Sequence, residues 1–362
     1  SARSRDVLIS VGLVPKLAET LSREELSLSF LATMVWTASQ LVCKSPLPSF
    51  DSVCGLLPGM VRVVQQLAGK SDGDETVHDA LSDALLTLSH CTHHSTELKI
   101  QTVLDLDVAA SLCTLLSHPS PSVQTHTVRL VGNIVTGSDA QTQVLVDCGV
   151  VSGLVHVLRT RDDDTQKQAA WAVSNIAAGT SSQIQRVLDD GGITELISLL
   201  SADHNTRIEA QWGVCNAVLS GTPEQTRQIA AMHVVGGLAG LFKMKGHDQL
   251  IKSTVNCLLH LFLVDKDNSL GLVEQARACE LKEALETLLQ SDDADYAKIE
   301  KLLVFLSPAD SSPPRLVVGA TVRLHSLIRR KDINGTSHHH AFQCHHIDVI
   351  TISRDQPNAI AM

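Results

Sequence analysis

Trp171 and Asn175 stand four residues apart in "KQAAWAVSNIAAG", residues 167–179. Ala169, Ala170, Val173 and Ile176 around them recur at helical spacing, so the segment reads as a helix. A spacing of four then puts the indole and the carboxamide on one face, one above the other. An indole face can take the methylene stem and the charge of a Lys or Arg side chain, a contact of about 0.5–2 kcal/mol. An Asn amide offers a donor and an acceptor to a backbone. The chemistry such a pair can do is recognition of an extended basic peptide, with no bond made or broken.

The pair recurs along the chain. Segments such as "LSFLATMVWTASQLV", "THTVRLVGNIVTG" and "RIEAQWGVCNAVLSG" align with it and stack Trp36, Leu86, Arg129, Trp171, Trp212 and Asn256 at one position, in steps of 50, 43, 42, 41 and 44 residues. All three tryptophans of the chain fall there. Four residues later stand Gln40, His90, Asn133, Asn175, Asn216 and His260, and three residues earlier Asp83 and Glu209 supply acids for a ligand's ammonium. Two plainer readings stay open. The indoles can fill the core between repeats, and the Asn amides can bond from one repeat to the next and hold the stack, since a buried unsatisfied amide costs about 1–3 kcal/mol.

The elements that must position this row are also periodic. "TQVLVDCGVVSGLVHVLRT" (142–160) is echoed by "IQRVLDDGGITELISLLSA" (184–202), each a short helix, a Gly turn and a longer helix, and each precedes one of the aligned third helices. Three helices in a period of roughly 40–47 residues predict an armadillo architecture. The expected fold is all-α: a right-handed superhelical armadillo-repeat solenoid of about seven repeats over residues 1–308, with an irregular tail over 309–362. The third helices are expected to line an extended concave surface.

Composition agrees. Of the 362 residues 44% are hydrophobic but only 3% aromatic, so the core is built from Leu, Val, Ile and Ala, which suits helices better than strands. The formal net charge is −10. Six basic and four acidic residues follow position 308, leaving 23 basic and 35 acidic before it, a net −12. Such a body repels phosphate backbones, which excludes nucleic acid, and attracts basic partners. Nine cysteines without a C-x-x-C pair read as buried small hydrophobes in a reducing, intracellular compartment. No apolar run is long enough for a membrane span. No P-loop, G-x-S-x-G or H-E-x-x-H motif occurs, so no enzyme and no cofactor is expected. The chain opens without Met and inside a helical pattern, and it is expected to be a fragment or an incomplete gene model.

"VRLVGNIVTGSDAQTQVLVDCG", "QKQAAWAVSNIAAGTSSQIQRVLDDGG" and "EAQWGVCNAVLSGTPEQ" resemble the later armadillo repeats of importin-α, the family of adaptors for nuclear localisation signals. The resemblance implies that Arg129, Asn133, Trp171, Asn175, Glu209, Trp212 and Asn216 form the family's minor signal-binding site. It makes Val135, Thr136, Thr142 and Ser174 lesser contacts, and Trp36 and Asp83 the remains of the major site. It further implies basic cargo signals as ligands, residence in cytoplasm and nucleus, and an export factor gripping the C-terminal cap. The chain departs from the family at Gln40, where Asn is expected, at Leu86, where Trp is expected, and at Gln168, where an acid is expected. Importin-β is a family partner, but the basic segment that binds it is absent from these residues.

The rival reading is an armadillo scaffold of the β-catenin kind, or an Hsp70-cofactor type, without signal binding. In the tail, "TSHHHAFQCHH" gathers five His and Cys344 within nine residues, a spacing that matches no zinc pattern, so no metal site is expected.

Overall fold

The computed structural model describes residues 2–70, 73–93, 96–160, 162–244, 246–289 and 296–307, and two strands at 316–321 and 348–352. The His-rich segment 338–346 lies outside the described residues.

Among the described residues of 2–307 are twenty-one α-helices that fall into seven triplets. The third helices are Leu28–Val42, Glu75–Cys91, Pro121–Ile134, Asp163–Ile176, His204–Ser220, Asp248–Val264 and Tyr296–Leu306. Two compact units divide the chain between Val214 and Cys215, inside the fifth third helix. In the first unit, successive third helices pack on one another along their lengths. Their apolar stripes form the core, with Val35, Ala84, Leu85, Leu130, Val131, Val173 and Ile176 fully buried. In the second unit Val255, Leu258, Leu261 and Phe262 do the same.

The turn between the first two helices of a triplet repeats its conformation. Gly149 and Gly191 sit at φ +87° and +82°, the left-handed region that a Cβ disfavours. Asp107 and His233 hold the equivalent turns at φ +58° and +56°. These four positions are spaced by 42 residues throughout.

A second periodic device starts the first helices. Ser138 with Gln141, Thr180 with Gln183 and Thr222 with Gln225 each form a reciprocal capping box. Gln141 Nε2 also donates to Glu97 O at 2.7 Å and Gln101 Oε1 at 3.0 Å. Gln183 Nε2 repeats this with Asp139 O at 2.8 Å and Gln143 Oε1 at 3.1 Å. One side chain therefore caps its own helix and ties it to the preceding repeat.

Beyond residue 308 the structure describes two short segments. Leu316–Thr321 and Asp348–Ile352 pair as an antiparallel two-stranded ribbon, β1 with β2, with Val317 opposite Thr351. The β-branched runs "LVVGAT" and "DVITI" explain the strands. Among the described residues no single helix is long and apolar enough to cross a membrane.

Candidate functional site

The third helices of the first unit place the sequence-predicted residues in one row, but they do not expose them equally. Trp36 is 54% exposed. Trp212 and Arg129 are half-buried, as are Gln40, Asp83 and Thr136. Trp171 is only 2% exposed, which corrects the expectation of an open indole in the middle of the row. The physical reason lies one repeat back at Gly132. A Cβ built there would come within 2.7 Å of Trp171 Cε3, so the missing side chain makes the space the ring occupies.

The amides divide in the same way. Asn133 Nδ2 donates to Ser89 O at 2.8 Å and Thr92 Oγ1 at 3.2 Å, both on the preceding repeat. This realises the inter-repeat alternative for that residue. Asn175 Nδ2 donates to Trp171 O at 3.0 Å on its own helix and is 1% exposed. Ser174 Oγ donates to the same carbonyl at 2.9 Å. Val135 and Thr142 have no exposed surface, so as expected lesser contacts they can act only from beneath the site. Thr136 Oγ1 donates to Asn133 O at 2.7 Å. Glu209 is buried at the row's end in the first unit, and Asn216 is buried in the second.

Charge along the row alternates. Ser39 Oγ lies within donating distance of Asp83 Oδ1, at 3.1 Å, and of the Trp36 backbone carbonyl, at 2.8 Å, which ties the acid to the Trp36 helix. Burial raises the Asp83 carboxyl above the ordinary range, Ser39 opposes that, and nearby Asp79 adds to it. One repeat on, Arg129 Nε donates to Gln168 Oε1 at 3.3 Å, and Gln168 Nε2 donates to Asp164 Oδ2 at 2.8 Å. Burial and then the Arg129 charge push His126 down to about 4. Burial also lowers His90, whose Nδ1 lies 2.9 Å from Leu86 O, and Arg129 adds to that fall. Burial, followed by Asp83, carries the Cys43 thiol up to about 12, so it stays protonated.

Sequence reasoning missed four of these partners. Gly132 gave a signal as a glycine in mid-helix, Gln141 and Gln183 gave one as S/T-x-x-Q at a fixed period, and Ser39 gave none. Among the described residues no group of three His, Cys, Asp or Glu is placed to hold a metal. The arrangement offers surface, hydrogen bonds and charge to a ligand.

The family model described as Armadillo/beta-catenin-like repeat matches residues 138–178. The chain is 40% identical over 144 residues to importin subunit alpha-1a of Oryza sativa subsp. japonica, covering 40% of this chain and 25% of the relative. It is 38% identical over 141 residues to importin subunit alpha-3 of Arabidopsis thaliana, covering 39% and 24%. The match thus spans about a quarter of these relatives' length. Among solved structures, a designed armadillo repeat protein in complex with the peptide (KR)4 superposes with a TM-score of 0.58 at 22% identity, covering 68% of this chain and 99% of that one. Computationally designed armadillo repeat proteins for modular peptide recognition give 0.59 at 23%, covering 69% and 100%. At these identities the structures speak for the fold.

Proposed function

We propose that this armadillo-repeat chain, similar over part of its length to importin-α subunits, binds Lys/Arg-rich segments in extended form along its third helices and serves as an adaptor for nuclear localisation signals. The observation that carries the reading is the pairing of indole and acid on one face: Trp36 open beside Asp83, and Trp212 one turn from Glu209. A Lys or Arg stem lies on the indole while its charge meets the carboxylate, and the net −12 of residues 1–308 draws such ligands in. Trp171 acts from beneath, fixing the spacing of neighbouring helices that carry the contacts. In this reading the protein works in cytoplasm and nucleus, with importin-β and an export factor as the family's further partners.

The deciding experiment is titration of a labelled Lys/Arg-rich signal peptide by fluorescence anisotropy, beside a Trp36→Ala/Trp212→Ala variant. Saturable binding that the variant loses supports the adaptor. A folded protein that binds no basic peptide supports the second reading, an armadillo scaffold or Hsp70-cofactor type without signal binding. The observation favouring that reading is the burial of Trp171 together with the use of the Asn133 and Asn175 donors inside the protein.

A further inference from the structure

Outside the third-helix row, two cysteines of successive triplets share one surface pocket. Cys113 lies on the second helix of the third triplet, Ala109–Leu115, and Cys148 in the turn of the fourth, between Asp139–Asp147 and Val150–Leu158. Thirty-five residues separate them in the chain, yet both line a pocket of about 480 Å³ whose other walls are small: Ala110, Thr114, Ser117, Gly149, Ser152 and Gly153. The second helices come close here, since a Cβ at Gly153 would stand 2.6 Å from Leu116 Cδ1. Leu116 is one turn on from Cys113 and Gly153 one turn on from Gly149, so the same approach brings the Cys148–Gly149 turn to Cys113. Cys148 is exposed and Cys113 half-buried. Burial, and after it the neighbouring Cys148, carries the Cys113 thiol up to about 11. One thiol is thus open to solvent and the other, within its field, stays protonated. The further cysteine neighbours among the described residues lack an open member: Cys43 and Cys54 are half-buried beside buried Cys91, and Cys215 and Cys257 are fully buried.

We propose that Cys113 and Cys148 form a reversible dithiol site, closed to a disulfide by hydrogen peroxide, that staples the third triplet to the fourth. The inference is independent of the peptide-binding reading. Cys148, as thiolate, attacks one peroxide oxygen; the O–O bond breaks, a water leaves and Cys148 becomes a sulfenic acid. The Cys113 sulfur then attacks the Cys148 sulfur, the S–O bond breaks, and hydroxide takes the Cys113 proton and leaves as water. In sum two thiols give up two electrons and two protons, and one peroxide is reduced to two waters. A small dithiol reverses the bond by exchange. Since the thiolate is the nucleophile, the high-lying Cys113 is spared first attack and is suited to resolve the sulfenic acid beside it. Cys148 sits in a turn, not inside a helix, so its backbone can adjust to the Cα separation of about 4.4–6.8 Å that a disulfide requires. The small walls of the pocket leave peroxide a path. In a reducing compartment such a bond is transient and serves sensing. While closed, it stops the two triplets from opening independently.

The test exposes the full chain, folded and reduced, to hydrogen peroxide, removes it, blocks the remaining thiols with iodoacetamide in urea, and maps tryptic peptides without reductant. Cleavage after Lys99, Arg129 and Arg159 places Cys113 in 100–129 and Cys148 in 130–159. The expected product is these two peptides joined, about 2 Da lighter than the pair and split by dithiothreitol. In the folded protein this link should form about tenfold faster than any other. Peroxide added in urea should lose that preference, because an unfolded chain closes the shorter Cys43–Cys54 loop more readily. In Cys113→Ala, Cys148 should run on to sulfinic acid, about 32 Da heavier. Cys148→Ser, at an exposed turn, tests the pair without disturbing the core and should leave Cys113 reduced. Sulfinic acid at Cys148 of the unaltered protein with Cys113 still alkylated, a link from Cys148 to any other cysteine, or no oxidation of either thiol would each overturn the inference.

Discussion

Trp171 lies in the space left by Gly132, thirty-nine residues earlier, and the two helices can approach because that position has no Cβ. An alanine at 132 would gain helix propensity of about 1 kcal/mol but would press on the ring, and overpacking costs about 1–3 kcal/mol. Gly132→Ala is therefore expected to destabilise the protein despite the better helix former. Urea melts should show a lowered midpoint, and adding Trp171→Leu should recover part of it. A midpoint raised by Gly132→Ala alone would refute the packing account.

Trp36 and Trp171 occupy the same place in their repeats but should respond oppositely. Trp171→Ala removes a buried ring and is expected to cost about 3–5 kcal/mol. Trp36→Ala should change stability by less than about 0.5 kcal/mol and weaken a basic peptide about threefold to thirtyfold. Thermal melts and anisotropy titrations on the same two variants separate the roles.

The Gln183 side chain makes three hydrogen bonds, accepting from Thr180 N and donating to Asp139 O and Gln143 Oε1. Gln183→Ala should cost about 1–3 kcal/mol, because it strips a cap and leaves a carbonyl of the neighbouring repeat unpaired. Gln185→Ala, two residues on, is the comparison: Gln185 is half-buried and donates to Asp189 Oδ1 of its own helix, so its loss should cost less than that of Gln183. Amide hydrogen exchange should quicken at Asp139–Asp147 as well as at Ser181–Asp189 if the bridge couples the repeats.

The acid limb of the stability curve should carry a histidine signature. His126 is held down to about 4 in the folded protein against an ordinary 6.5, so unfolding takes up a proton between those values. Its contribution is complete above about 6.5 and disappears as pH falls toward about 4. His126→Gln should flatten the decline over that window. An unchanged slope would mean that other groups set the acid limb.

His233 holds at φ +56° a turn that Gly149 and Gly191 hold elsewhere. His233→Gly removes a strained left-handed conformation worth about 1–2 kcal/mol and adds back some chain entropy, for a net gain of about 0.5–1 kcal/mol. Calorimetry that shows a loss would mean the imidazole makes compensating contacts.

The triplets were legible in the sequence because their signals are local and repeat: the turn glycines, the apolar stripes and the aligned Trp and Asn positions. What each aligned side chain does was less legible, because it depends on a residue about forty positions away. The indole at 171 is covered only because residue 132 is Gly, and the amide at 133 is engaged only because Ser89 and Thr92 end the preceding helix beside it. Gln168 read as a mere departure from a pattern until its bond to Arg129 gave it a role. The ribbon of 316–321 with 348–352 joins segments some thirty residues apart, and no repeat pointed from one to the other.

The left-handed turns at 107, 149, 191 and 233 have one more consequence, for how a gene of this kind can change length. An in-frame excision or duplication of 42 codons between adjacent ones joins one left-handed turn to another, at the same place in its triplet. Neither a core nor a cap must be reinvented at the junction. On the proposed peptide-binding reading, the length of ligand that the third-helix face takes is then adjustable in whole steps, by recombination instead of by point substitution.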